Sequence, residues 1–261
     1  MKALQEEMKR QLKHLNPKMI RHYMHDVIDW DARLISILGA RGVGKTTLLL
    51  QHIKETNDIE HSLFVFADNI YFATHRLFDL ANTFVQYGGK YLYIDEIHKY
   101  ANWSTEIKNI YDSFPSLKVV YTGSSILDLE KGGADLSRRK LQYHMQGLSL
   151  REFVELKYGY KIRQHSLKEL IDGKIDWPYD ALKPLPVMAE YLQYGYYPYF
   201  TDGHFHEHLH SSLLQTLEVD IPTFAQMNVG TTRKLKTLLG IIAASVPFKP
   251  NMAAIAPDLG I

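Results

Sequence analysis

The residues best equipped for chemistry sit in one short stretch, Gly39-Ala40-Arg41-Gly42-Val43-Gly44-Lys45-Thr46-Thr47, between two apolar runs. From Gly39 to Thr46 it satisfies the pattern G-x-x-x-x-G-K-[ST], whose chemistry is that of a phosphate cradle. Glycines leave room for an anion against the backbone and accept positive φ, so successive N–H groups can turn inward at the start of a helix. Lys45 would reach the β- and γ-phosphates, and the Thr46 hydroxyl would sit on Mg²⁺. A second cluster, Asp95-Glu96, closes the apolar run of "KYLYIDEI". Acids at the carboxyl end of a buried strand lie where open α/β sheets collect ligands. Asp95 suits the magnesium shell, and Glu96 suits the orientation and polarisation of a water.

Two further sets are weaker. "VVYTGSS" ends in hydroxyls, and Thr122 and Ser124 are candidates to bond a terminal phosphate or the attacking water, although serine and threonine are also plain turn formers. Arg138 and Arg139 precede a possible fifth strand. A guanidinium there could neutralise charge developing in phosphoryl transfer, with solvated surface arginine as the plainer use.

These positions need a scaffold, and the sequence supplies a rhythm. "RLISILGA", "HSLFVFAD", "KYLYIDEI" and "LKVVYTGSS" read as buried strands; "KTTLLLQHIKE", "RLFDLANTFVQY" and "WSTEIKNIYDSF" read as the helices between them. Strands apolar on both faces, alternating with helices, predict a parallel sheet covered on both sides. "LQYHMQGL" adds a possible fifth strand. Residues 3–28 read as one or two polar helices, the second beginning at Pro17. Ser149 and Glu152 have capping-box spacing and open a helix. Beyond it, to about Glu218, come helices and aromatic-rich loops without further alternation. Leu235, Leu238, Leu239 and Ile242 then repeat at helical spacing, followed by a proline-bounded turn and a short second helix. The organisation expected is a helical segment over 1–30, a phosphate-loop core over 31–150, a helical lid over 151–217 and the start of a winged-helix-like domain over 218–261.

Composition sets outer bounds. With 261 residues, 46% hydrophobic, 23% charged and 12% aromatic, the chain suits a soluble globular protein. Thirty basic residues against 29 acidic give a formal charge of +1, so no global field draws in nucleic acid or an anionic membrane. Cysteine is absent, which removes disulfides and thiolate chemistry and fits a reducing compartment. No run approaches a membrane span, and the start lacks a signal-peptide core, so the expected location is cytoplasmic. One rival motif exists: His206, Glu207 and His210 in "HFHEHLH" spell H-E-x-x-H, the helical zinc-protease pattern. Its segment is strongly polar and no third ligand follows at a familiar distance, although Glu218 is available.

Taken together, "GARGVGKTT", "YLYIDEIHKY", "VVYTGSS", "ADLSRRKLQYHMQGLSLREFVEL", "YGYYPYF" and "LEVDIP" resemble a prokaryotic AAA-type P-loop ATPase group, akin to archaeal ATPases and the signal-transducing STAND class. The resemblance implies an α/β fold of the ASCE/AAA kind, a helical lid and a winged-helix segment followed by a further domain, so the chain reads as truncated at its C-terminus. It implies ATP and ADP as ligands with Mg²⁺, and hydrolysis of ATP to ADP and phosphate by a motor or switch. The alternative is a slow signalling or DNA-associated module locked by ADP. It assigns Glu96 as the catalytic acid and matches Arg139 best, by its spacing to "GLSLREF", to the arginine before the fifth strand. Whether that arginine acts within one chain or across a homo-oligomer stays open, as does a DNA or protein partner for the C-terminal region. The family's glycine-glycine-x-proline lid turn reads here Gly195-Tyr196-Tyr197-Pro198, and a nucleotide contact and an aromatic packing turn are both compatible with it.

Overall fold

Five short apolar runs pair into a single parallel sheet: β1 (Leu34–Leu38), β2 (Ser62–Phe66), β3 (Tyr91–Asp95), β4 (Lys118–Gly123) and β5 (Leu141–His144), in the spatial order β2-β3-β4-β1-β5. The computed structural model describes residues 1–16, 20, 22–124, 136–222, 229–245 and 248–259. Pro17, the expected start of a second N-terminal helix, and Ser125 lie outside the described residues. Every residue of β1 is buried, as a strand covered on both faces requires. Helices α3 (Lys45–Thr56), α4 (Leu77–Gln86) and α5 (Trp103–Ser113) connect the first four strands. The order places β1 between β4 and β5, so the chain leaving β1 runs outward to β2 and the chain leaving β4 passes over β1. Connections that diverge in this way open a crevice at the strand carboxyl ends. The sequence expectation of an α/β P-loop fold, with a fifth strand at "LQYH", is what the sheet displays.

The N-terminal helix α1 (Lys2–His14) departs from the polar reading of this segment. Leu4, Met8 and Leu12, spaced at i, i+4 and i+8, are buried, and Met8 and Leu12 join the core formed by Ile35, Leu49, Phe64 and Tyr93. The Phe64 N–H lies 3.2 Å from Met8 Sδ, so the helix also covers a backbone donor of the edge strand β2.

After a short helix α2 (Met24–Val27) and the sheet comes α6 (Leu150–Tyr158). The expected capping box forms: Glu152 Oε2 accepts from the Ser149 N–H at 2.7 Å while Ser149 Oγ accepts from the Glu152 N–H at 3.3 Å. The other carboxylate oxygen accepts from the Tyr23 N–H at 2.7 Å, tying the N-terminal segment to α6. Helices α7 (Leu167–Ile171) and α8 (Pro184–Glu190) follow, with Phe153, Val154 and Val187 in a second small core. By contacts the chain divides into two compact units, Met1–Gly203 and His204–Ile261. The second contains α9 (Phe205–Gln215), a helix over Val229–Ala244 that carries the expected leucine repeat, and a short helix over Met252–Ile255. Among the described residues no helix is long and apolar enough to cross a membrane.

Candidate functional site

The glycine-rich stretch leaves β1 and turns into α3 with Gly42 at φ +83° and Gly44 at φ +104°, a left-handed backbone that a side chain would strain. A Cβ on Gly39 would stand 2.4 Å from the Met145 carbonyl oxygen, because the loop packs against the end of β5. Helix α3 closes its first bond from the Leu48 N–H to the Gly44 oxygen at 2.9 Å. Lys45, only 7% exposed, folds back so that Nζ donates to the carbonyls of Gly39 and Ala40, both at 2.9 Å. Burial pulls its pKa below the usual lysine value, with Asp95 and Glu96 opposing the shift and Arg41 adding to it.

The acids stand where strand ends meet. Thr46 Oγ1 donates to Asp95 Oδ2 at 2.6 Å, and Thr122 Oγ1 donates to the other Asp95 oxygen. The same Thr122 oxygen accepts from the Glu96 N–H at 3.0 Å. Adjacent strand ends from β3 and β4 and the first turn of α3 are thus joined through one carboxylate. Asp95 is 1% exposed and Thr122 is fully buried. Burial raises the Asp95 pKa, only partly offset by the Thr122 and Thr46 hydroxyls. Glu96 follows in a left-handed conformation, φ +52° and ψ +48°, which costs a non-glycine residue about 1–2 kcal/mol. Its carboxylate pairs with Lys99, which in turn bonds Asp68 at 2.6 Å. Burial pushes the Glu96 pKa up, but the Lys99 bond and charge, with Arg41, bring it below the usual glutamate value.

Gly44, Lys45, Thr46, Asp95 and Glu96 line one cleft of ≈ 360 Å³, inside the range of about 300–1,000 Å³ typical of small-molecule sites. Its far wall is the turn after Gly195. A Cβ on Gly42 would meet the Tyr199 ring at 2.7 Å, Tyr199 stacks on Tyr197 with centroids 5.0 Å apart, and Pro198 lines the cleft. The turn therefore packs through its aromatics and borders the site as well. Gly195 itself is buried where a Cβ would strike Tyr191 at 2.5 Å.

The remaining predicted residues are placed differently. Thr122 is spent inward on Asp95 and the Glu96 N–H and does not line the cleft. Ser124, half-buried just past β4, is not among the cleft's lining residues. Arg139 lies at the opposite end of the sheet: two residues before β5 starts, its guanidinium bonds Asp112 at 3.1 and 3.2 Å. In the second unit His206, Glu207 and His210 fall on α9, but among the described residues no group of three His, Cys, Asp or Glu is arranged to hold a metal.

Sequence reasoning missed the Lys99–Asp68 clamp and a second, mostly apolar cleft beside the first. Ile20, His22, Gln51, Met145 and Leu148 line it, and Gly44, Thr47, Leu156 and Pro198 are common to both. His22 accepts the Met24 N–H on Nδ1 at 3.1 Å. Burial lowers its pKa, with Glu152 and the Gly147 and Gln146 carbonyls opposing. No spacing rule links residues 20, 22, 51 and 145; only the order of helices around β1 brings them together.

Residues 31–154 match a family model described as an AAA domain. An uncharacterized protein of Methanocaldococcus jannaschii is 29% identical over 153 residues, covering 55% of this chain and 32% of that one. The chain therefore spans about a third of the length of that curated relative. Among solved structures, C. elegans PCH-2 is similar at a TM-score of 0.36 and 17% identity, over 59% of this chain and 44% of that one. The S. cerevisiae Hsp104–ADP complex is similar at a TM-score of 0.39 and 15% identity, over 59% of this chain and 23% of that one.

Proposed function

We propose that the chain binds ATP with Mg²⁺ at the Gly39–Thr47 loop and hydrolyses it to ADP and phosphate, a reading supported by the match of residues 31–154 to an AAA domain model. The observation that carries this reading is the convergence of Lys45, Thr46, Asp95 and Glu96 on one cleft, with Thr46 and Asp95 bonded at 2.6 Å. The residues suit the group: left-handed glycines expose backbone N–H groups to an anion, and a hydroxyl beside a carboxylate is an oxygen pair of the kind Mg²⁺ takes. Thr46 and Asp95 would hold the metal, which would supply positive charge against the phosphates.

In this reading Lys45 leaves the Gly39 and Ala40 carbonyls and donates to terminal phosphate oxygens, and Thr46 and Asp95 orient the metal. Glu96 accepts a proton from a water whose oxygen attacks the γ-phosphorus as the bond to the bridging oxygen breaks and ADP leaves. Thr122 acts through Asp95 and Glu96, holding the carboxylate of one and the backbone of the other. Pro198 and Tyr199 make the lid sensitive to what occupies the loop, which suits a motor or switch. Arg139, held by Asp112 at the other end of the sheet, could serve only the pocket of a second copy.

One observation favours the slower, switch-like alternative. Glu96 is paired with Lys99, and a carboxylate so engaged is a poor base until the pair opens. The Glu96→Gln variant tests the mechanism: steady-state phosphate release is expected to fall about 10²–10⁴-fold while ATP affinity is retained. Turnover unchanged in this variant would remove Glu96 from the reaction. A chain that binds no triphosphate in the presence of Mg²⁺ would sink the whole reading.

A further inference from the structure

The carboxylate assigned as the base is held from outside the cleft it serves. Glu96 lines the phosphate cleft, whereas Lys99 and Asp68 line neither cleft. The backbone around Glu96 is fixed on both sides: its N–H donates to Thr122 Oγ1 at 3.0 Å, its carbonyl accepts from the Lys99 N–H at 2.9 Å, and Ile97 between them is fully buried. In the 3₁₀ turn that follows, Ile97–Lys99, residues three apart stand over one another, so the Lys99 ammonium meets the Glu96 carboxylate. The same ammonium donates to Asp68 Oδ2 at 2.6 Å. Two acids thus compete for one cation, and only side chains need move for either to win. The Lys99, Glu96 and Asp68 side chains are 31%, 25% and 50% exposed, and ion pairs this open to water are weak enough to exchange. Asp68 is in turn placed by α1. Its neighbour Asn69 donates through Nδ2 to Glu7 Oε2 at 2.8 Å and accepts on Oδ1 from the Tyr71 N–H at 2.9 Å.

We propose that Lys99 is a positioning residue that restrains Glu96 until Asp68 draws it away, and that α1, through Glu7 and Asn69, sets how well Asp68 competes. The inference rests on the ATPase reading of the cleft and adds to it a control on the base. A lone pair spent on an ammonium is lost to the attacking water, and the positive charge beside it makes the carboxylate a weaker base. With Lys99 wholly on Asp68, Glu96 regains both while its backbone keeps its place in the cleft wall. Burial acts to raise the Glu96 pKa, and Lys99 lowers it by bond and by charge, with Arg41 and His98 adding charge alone. Asp95 and Lys45 face it as well. Burial acts to lower the Lys99 pKa, but the bonds and charges of Asp68 and Glu96 bring it above the ordinary lysine value, so the ammonium stays charged across the neutral range.

The test is the single-turnover rate of phosphate formation by the full chain with saturating ATP and Mg²⁺, which reads the chemical step apart from product release. Lys99→Met should be faster than wild type by roughly twofold to fivefold, and Asp68→Asn slower by a similar factor, as befits partly exposed ion pairs. Lys99→Arg, which keeps the charge, should return close to the wild-type rate. Glu7→Ala should slow the step by up to about twofold. In the Lys99→Met background neither Asp68→Asn nor Glu7→Ala should have any effect, since both act only through the ammonium. The acidic limb of the rate against pH should move to higher pH in Lys99→Met, because Glu96 loses the partner that lowers its pKa; a merely structural lysine would leave that limb in place. A slower Lys99→Met chain would make Lys99 a support of the base and overturn the restraint. An unmoved acidic limb, or an Asp68→Asn effect of equal size with and without Lys99, would overturn it too. A Glu7→Ala chain that matches wild type would overturn the link to α1. A wild-type chain that forms no phosphate from ATP would instead sink the ATPase reading on which the inference rests.

Discussion

The two ends of the same sheet make opposite use of polar residues. At the carboxyl end, β3 supplies Asp95, β4 supplies Thr122 and the first turn of α3 supplies Thr46, all joined through one carboxylate, while Lys45 beside them bonds the Gly39 and Ala40 carbonyls. At the amino end, Arg139 is paired with Asp112 at the end of α5 and lines neither of the two clefts described above. The strand between them, Leu34–Leu38, spans about 13 Å at the usual rise of about 3.3 Å per residue. In the proposed reading, one end of the sheet holds phosphate and the other carries a charge that would serve such a site on a second copy.

The strongest way to break this contrast is Arg139→Ala. If Arg139 serves a second copy, phosphate release should fall about 10³-fold, as loss of an arginine acting on transferred phosphate does, with ATP affinity unchanged. Mixing this variant with Glu96→Gln should restore part of the turnover, since an intact pocket on one copy then meets an intact arginine on the other. Loss of turnover that no mixing rescues, or activity independent of protein concentration, would confine the reaction to a single chain. Next in size is Lys45→Met at the carboxyl end. It removes a charged donor to phosphate and should weaken ATP binding by roughly tenfold to a hundredfold. Thermal stability without nucleotide should change little, because the Lys45 charge is buried at a desolvation cost that Asp95 and Glu96 oppose. Thr122 sharpens the comparison further. Thr122→Val should lower kcat by about tenfold with ATP affinity nearly intact, since the hydroxyl touches Asp95 and the Glu96 N–H and Thr122 lines neither described cleft. Thr122→Ser, which keeps the oxygen, should recover most of it, whereas a merely structural threonine would show no split between kcat and affinity.

What could be read from sequence follows the range of the interactions involved. The strands, the glycine loop and the Ser149–Glu152 capping box are local patterns in which spacing along the chain decides geometry, and each appears where its spacing placed it. Thr122 was read as facing a phosphate because it ends a strand beside the acids. Strand periodicity cannot say that its oxygen is already taken from both sides, by Asp95 and by the Glu96 N–H. The Lys99 clamp on Glu96 depends on the left-handed turn at Glu96, a conformation that no residue preference announces for glutamate. The second cleft gathers Ile20, Gln51 and Met145 from three separate segments of the chain, and α1 has a polar sequence because only every fourth residue is buried. Long-range packing decides the other three cases, whereas the Lys99–Glu96 pair is local and turns on one backbone conformation.

The smallest expected effect separates the lid from the pocket it borders. Glu190 bonds Lys157, Tyr158 and Tyr194. Burial acts to raise its pKa, but those partners hold it at about 2, well below the ordinary 4.5. A depressed folded-state pKa means that the ionised form stabilises the fold. The contribution is fully present above about pH 4.5 and disappears as pH falls from there through about 2. At neutral pH Glu190→Gln should therefore lower unfolding stability by roughly 1 kcal/mol, in keeping with hydrogen bonds to a partly exposed charge. The melting-temperature gap between wild type and variant should narrow steadily once pH drops below 4.5. A gap that stays constant between pH 7 and pH 3 would assign the effect to packing instead of charge. ATP affinity at neutral pH should be the same in both proteins, because no atom of this network lines either cleft. A shift in affinity would mean that the lid network sets the position of Pro198 and Tyr199, and that the carboxyl-end site depends on the lid beyond the turn that touches it.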